Sequence, residues 1–136
     1  MADNPLVKKM KLTPGARAAV LGGPPGYLRS LKLPAGMDVS EKLSGRYDWI
    51  QLFVKTRPEL EARIGRTAKA LSPAGLLWIS FPKASSGFQT DLSRDRGWDS
   101  LKTHNLKWIG QISVDADWSA FALRLSQPGE ARQALR

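Results

Sequence analysis

Two segments, Tyr47–Val54 and Gly75–Phe81, carry apolar residues at successive rather than alternate positions. In the first these are Trp49, Ile50, Leu52, Phe53 and Val54; in the second, Leu76, Leu77, Trp78, Ile79 and Phe81. A strand that is apolar on both faces must be covered on both faces, which is how the central strands of a parallel sheet read. The stretch between them has a helical period. Thr56 is placed to cap it, Glu59 three residues on completes a capping box, and Pro58 falls in the first turn, where its missing N–H is harmless. Leu60, Ile64, Ala68 and Leu71 recur on one face, Glu59 and Arg63 pair at i,i+4 on the other, and Ser72-Pro73-Ala74-Gly75 ends the helix. Strand, helix and strand in this order form a right-handed crossover between parallel neighbours.

The remaining elements extend that unit. Arg17–Leu21 reads as a short strand running into Gly22-Gly23-Pro24-Pro25-Gly26, followed by a helical turn at Tyr27–Leu31 and a brief edge strand at Met37–Ser40. Lys83–Gln89 is a polar loop, and Thr90 caps a helix from about Asp91 to His104. Lys107–Val114 and Trp118–Leu125 alternate about the turn Asp115-Ala116-Asp117 and form a hairpin. The fold class is therefore α/β: a small Rossmann-like, mostly parallel sheet flanked by helices, with a C-terminal antiparallel hairpin. The order of elements is similar to the later half of the Rossmann-like methyltransferase fold, in which the final strand slips between its predecessors. Residues 1–12 form a basic N-terminal arm, 13–126 a single domain and 127–136 a polar tail.

Composition removes whole classes of chemistry. With no Cys there are no disulfides, thiolate nucleophiles or Cys-type zinc sites, and His104 as the one His removes most His-based metal sites. No metal is expected. No apolar run, Leu76–Ile79 included, approaches the roughly 20 residues of a membrane helix, and no apolar stretch follows Lys8–Lys11 as an export signal would. A cytoplasmic protein is expected. The net charge is +9, and residues 1–36 hold six cations against Asp3 alone. Such an arm attracts polyanions, yet no aromatic residues interleave with Lys8, Lys9 and Lys11 to stack on bases.

Several phrases occur in one order along nearly the whole chain: Pro5-Leu6-Val7-Lys8-Lys9, Pro24-Pro25-Gly26-Tyr27, Tyr47-Asp48-Trp49 leading to Leu52-Phe53-Val54, Trp78-Ile79-Ser80-Phe81-Pro82-Lys83, Ser86-Gly87-Phe88-Gln89-Thr90-Asp91-Leu92 and Val114-Asp115-Ala116-Asp117-Trp118-Ser119. In these the chain resembles a bacterial family of small proteins classed as a domain of unknown function. It departs from that pattern after Leu92, where Arg96 and Gly97 stand at positions expected to be apolar. The resemblance implies the fold and brings no catalytic residues with it.

Ligands of parallel sheets sit beyond the carboxyl ends of the strands. That edge is expected to collect Gly22–Tyr27, Thr56–Arg57, Lys83–Thr90 and Asp115–Trp118. The glycine spacing after the first strand is G-G-x-x-G rather than G-x-G-x-x-G, Pro24 and Pro25 remove two N–H donors, and Asp38 precedes its strand rather than closing it. These features argue against a nicotinamide or S-adenosylmethionine site, and no cofactor is expected. The better anion site joins Lys83, Ser85 and Ser86 to the helix start at Thr90, with Tyr27 or Trp118 for apolar contact. The ordinary reading makes Thr90 a cap and Lys83 a solvated cation. Asp115 and Asp117 read either as an acid–base pair or, more simply, as acceptors for their own turn.

The expected function is a non-catalytic binding module for a small anionic ligand or a protein partner. The alternatives are a reduced transferase-like enzyme, for which Ser85, Ser86, Asp91, Asp115 and Asp117 are the available nucleophiles and bases, and polyanion (nucleic-acid) binding through the arm.

Overall fold

The computed structural model describes residues 9–12, 17–27, 39–83, 98, 101, 106–115 and 117–125. The expected loop Lys83–Gln89 beyond its first residue, most of the helix Asp91–His104, the turn at 28–31 and the tail 127–136 lie outside these residues. Among the described residues, six strands form one sheet: β1 (Ala18–Leu21), β2 (Val39–Ser40), β3 (Tyr47–Phe53), β4 (Leu71–Pro82), β5 (Leu106–Ser113) and β6 (Trp118–Leu125). The spatial order is β2-β1-β3-β4-β6-β5. β2, β1, β3 and β4 are mutually parallel, and β6 runs antiparallel between β4 and β5. The last strand thus does slip between its predecessors, as expected of this α/β class.

Helix α1 (Arg57–Ala70) crosses from β3 to β4. Its cap forms through Thr56, whose side chain accepts from Glu59 N at 3.3 Å. The return bond is displaced by one residue: Glu59 Oε1 accepts from Lys55 N at 2.8 Å rather than from the cap itself. Glu59 is consequently turned back to the helix start, and the ion pair on the outer face is Arg57–Glu61 at 3.1 Å rather than the expected Glu59–Arg63.

The sheet is covered on both faces, as the doubly apolar strands require. On the α1 face, Leu60 and Ile64 pack with Ile50, Leu52, Leu77, Ile79, Phe121, Trp98 and Leu101 in one buried cluster. Each fully buried Leu or Ile there contributes about 1.5–3 kcal/mol. The opposite face is aromatic: Trp49, Phe53, Trp78, Trp118 and Tyr27 pack with Met10, Leu12 and the small residues Ala18, Ala120 and Ala122. Met10 and Leu12, within the basic arm, are buried there. The Met10 carbonyl accepts from two indoles, Trp49 Nε1 at 2.7 Å and Trp78 Nε1 at 3.0 Å.

β4 begins earlier than its sequence implies. Helix α1 ends at Ala70 and the fully buried Leu71 already pairs with Tyr47, so the chain turns from helix to strand without an intervening loop. Trp49 next pairs with Leu76, so the four residues Ser72–Gly75 stand opposite Asp48 alone in an irregular ladder. Gly75 is required where the chain folds back on itself: a Cβ there would lie 2.7 Å from Leu71 Cδ1 and 3.0 Å from Ser72 O.

Candidate functional site

Because β5 and the parallel strands point the same way, their carboxyl ends and the amino end of β6 share one edge. Lys83 follows β4 there and extends the ladder, its N–H donating to Asp117 O at 2.8 Å. Its Nζ donates to Ser113 Oγ, at the end of β5, at 2.6 Å. Ser113 Oγ in turn donates to Asp115 O at 3.4 Å. A second cation reaches the same residue, Lys9 Nζ donating to Ser113 O at 3.3 Å. Among the described residues, neither lysine forms an ion pair with Asp115 or Asp117.

Asp115 serves its own turn. Its Oδ1 accepts from Asp117 N at 2.8 Å and Trp118 N at 2.9 Å, the local bonding that an Asp at a tight turn usually makes. This arrangement favours the structural over the acid–base reading of the two carboxylates. Behind the turn the aromatic residues form a row. Trp118 meets Phe53 edge-on at 5.0 Å between centroids, and Phe53 meets Tyr27 at 4.7 Å. Tyr27 and Trp118 are both buried, so they form the floor under the edge rather than its surface.

The Tyr27 hydroxyl donates to Gln51 Oε1 at 2.7 Å, and Gln51 Nε2 donates to Ser80 Oγ at 2.9 Å. Burial pushes the Tyr27 phenol well above its ordinary value; the Gln51 hydrogen bond opposes the shift and the charge of Asp115 adds to it. Tyr27 is therefore a neutral donor rather than an acid–base group at ordinary pH.

Of the expected site residues, Tyr27, Lys83, Asp115 and Trp118 are at this edge, Tyr27 and Trp118 joined through Phe53, and Lys83 and Asp115 through Ser113. Ser85, Ser86 and Thr90 lie outside the described residues. Three groups were missed from sequence. Lys9 and Ser113 meet across 104 positions, with no local signal to join them. Arg63, assigned to the outer face of α1, reaches the glycine loop: a Cβ on Gly22 would lie 3.2 Å from its Nη1 and 3.0 Å from Phe53 O, and Gly22 has φ +70°. The third is an acidic residue at the end of β2. That strand closes at Ser40, so Glu41 stands directly at its carboxyl end, where Asp38 alone was weighed from the sequence. Glu41 also falls about twenty residues beyond Gly22, the offset at which an acid meets a ribose in dinucleotide folds. The strand order reverses between β1 and β3, which makes the Gly22 loop and Arg63 neighbours of the switch-point crevice.

Among the described residues no three His, Asp or Glu side chains stand together as a metal site. No described helix is long and apolar enough to cross a membrane.

No family model matches the chain, and no curated protein matches it. Solved structures do. One is a ribosomal protein methylase of Lactobacillus delbrueckii subsp. bulgaricus, at TM-score 0.59 and 11% identity over 90% of this chain and 76% of that one. A mitomycin 7-O-methyltransferase gives TM-score 0.65 and 14% identity over 89% of this chain, which spans about half (52%) of that enzyme. A protein of the NADB-Rossmann superfamily from Streptococcus agalactiae gives 0.58 and 11% over all of this chain and 72% of its own. The likeness is one of fold. The chain has the Rossmann-like architecture found in methyltransferases, with the antiparallel strand near the end of the sheet.

Proposed function

We propose that the protein is a non-catalytic binding module that takes a small anionic ligand at the carboxyl edge of its sheet. The observation that carries this reading is the Lys83 ammonium, held at 2.6 Å by Ser113 Oγ at the joint of β4, β5 and β6. An ammonium fixed on a rigid scaffold has already lost much of the side-chain freedom that binding would cost, and an ammonium is a charge-assisted donor suited to phosphate or carboxylate oxygens. The ordered phrases from Pro5 to Ser119 support membership of the bacterial family of small proteins named above, in a cytoplasmic setting. The test is calorimetric titration of wild type and Lys83→Ala with adenosine monophosphate, glycerol phosphate and citrate. Wild type is expected to bind at least one of them, and the variant about tenfold more weakly. Equal affinities, or no binding by either form, would overturn the reading.

A second reading, a reduced transferase that holds a nucleoside, is favoured by Glu41 at the end of β2 and by the names of the structural neighbours. Pro24 and Pro25 count against it, because the loop lacks two of the N–H groups that such ligands use. Titration with S-adenosylhomocysteine, lost in Glu41→Ala and retained in Lys83→Ala, would put this reading first. Binding of a long oligonucleotide but of none of the small anions, with steep salt dependence, would favour polyanion recognition through the arm.

A further inference from the structure

β5 closes the sheet on the hairpin side, and its ladder to β6 shows which backbone groups it leaves over. Val114 N donates to Trp118 O at 2.9 Å, so these two residues form a hydrogen-bonded pair. Antiparallel ladders alternate bonded and non-bonded pairs. Counting back along the register, Ile112 and Gly110 are bonded to β6, while Ser113 and Gln111 turn their N–H and C=O groups away from it. The Ser113 carbonyl agrees with this count, since it accepts from Lys9 Nζ. The register shifts between Trp108, opposite Leu123, and Gly110, opposite Ala122, which makes Ile109 a surplus residue without a partner on β6. Among the described residues, no strand pairs with the outer side of β5. The same stretch carries the two large apolar side chains that stand exposed there, Trp108 at 37% and Ile109 at 43%.

We propose that a second copy of this chain pairs antiparallel with the outer edge of β5, about a two-fold axis at Gly110. The register follows from the groups left over. Ser113 O is held by Lys9, so Ile109 and Gln111 are the residues to be paired, and a two-fold at Gly110 sets each opposite the other in the second copy. Gly110 then meets Gly110 of the second copy as a non-bonded pair, about 4.5 Å between Cα atoms. The two Ile109 residues come within diagonal reach, about 7–8 Å, beside the two Trp108 rings, so each copy covers the apolar pair of the other. Charge favours this orientation. Lys107 is the one charged residue of β5, and the axis separates the two copies of it by six residues, about 20 Å. That is well beyond the Debye length of about 8 Å, whereas parallel pairing would set them side by side. The edge is eight residues long, without Pro, and its charge lies near one end, so few of the usual guards against pairing are present. The bulge, itself such a guard, leaves Gly110–Ser113 regular. Eight residues a side is well short of the roughly 20–30 of a standard interface, so the dimer is weak, with a Kd above about 1 μM. None of this depends on the anion-binding reading.

The chain has no Cys, so single-Cys variants report proximity without background. A Cβ at Gly110 would meet nothing nearer than Ala122 Cβ at 4.0 Å, and the expected spacing at the axis suits a disulfide. Mild oxidation is expected to convert most of Gly110→Cys to a covalent dimer and to leave Lys69→Cys, exposed on α1, monomeric. Adding Ile109→Lys is expected to abolish the crosslink, and because Ile109 is exposed the variant should keep its urea midpoint. In wild type, amide exchange at Gln111 is expected to slow as concentration rises from about 10 μM to about 1 mM, a range that brackets a weak interface. Ile112, already bonded to β6, should not respond. Sedimentation as a monomer across that range, equal crosslinking of Gly110→Cys and Lys69→Cys, or a dimer that survives Ile109→Lys would each overturn the proposal. Slowing of Gln111 in a monomer on addition of an unrelated extended peptide would assign the edge to a foreign strand and overturn it too.

Discussion

The hydroxyl of Tyr27 lies 2.7 Å from Oε1 of Gln51, and Gln51 is wholly buried between β1 and β4 on the aromatic face of the sheet. The bond ties the turn after the glycine loop to the middle of the central strand. It also forms one end of a polar chain that continues to Ser80. A buried amide with a lost partner pays its full desolvation penalty, about 1–3 kcal/mol. Tyr27→Phe is therefore expected to destabilise the fold by that amount in urea denaturation. Adding Gln51→Leu should recover part of the loss, since removing both partners is cheaper than removing one. An additive double variant would show that the two side chains act independently.

The two tyrosines of the chain should titrate in opposite directions. The Arg17 guanidinium, hydrogen-bonded to Tyr47 and 4.7 Å over its ring, holds that phenol below the ordinary value of 10.0, against an opposing effect of burial. Its contribution to stability is present above the unfolded value and is lost as pH falls through the folded one. Tyr27 is raised, chiefly by burial, so its contribution is complete below 10.0 and is lost as pH climbs from there toward the folded value. Above pH 10 the unfolded chain releases a Tyr27 proton that the folded chain keeps, and Tyr27 should then lower stability by up to about 1.4 kcal/mol per pH unit. Phenolate absorbance should show an early Tyr47 step and a Tyr27 step that appears only with unfolding. Tyr27→Phe should remove its part of the high-pH decline.

Leu52 is fully buried in the α1-side cluster. Truncation to Ala should leave a cavity between β3 and α1 and cost about 2–5 kcal/mol. Equilibrium unfolding in urea measures it, and a loss below about 0.5 kcal/mol would be that of a surface position.

What was legible in the sequence was what local periodicity encodes. The runs at Trp49–Val54 and Trp118–Leu125 place β3 and β6 because each residue's environment repeats every one or two positions. The start of β4 was hidden because Ser72, Pro73, Ala74 and Gly75 are turn-formers by local preference. Burial of Leu71 opposite Tyr47 overrides that preference and leaves the surplus residues in a bulge. At the site, Lys83, Asp115, Tyr27 and Trp118 could be placed at one edge from strand direction alone. Their partners could not: Ser113 ends a strand with nothing unusual about it, and Lys9 belongs to an arm whose docking depends on a backbone carbonyl and two distant indoles.

Ser113 offers the finest test of how the edge works, because it orients Lys83 without needing to touch a ligand. Its hydroxyl accepts from Lys83 Nζ and donates to Asp115 O, so Ser113→Ala keeps the charge and removes the restraint. Fixing a long side chain costs about 0.5–1.5 kcal/mol, and in the variant the ligand must supply that cost itself. Binding of the best-bound small anion should weaken by about two- to tenfold, less than on loss of the ammonium in Lys83→Ala. Because Ser113 is exposed, unfolding free energy should change by no more than about 0.5 kcal/mol. Calorimetric titration of both variants beside wild type, with urea unfolding of each, separates orientation from charge. Unchanged affinity in Ser113→Ala with reduced affinity in Lys83→Ala would leave the charge at the edge and discard the role of its restraint.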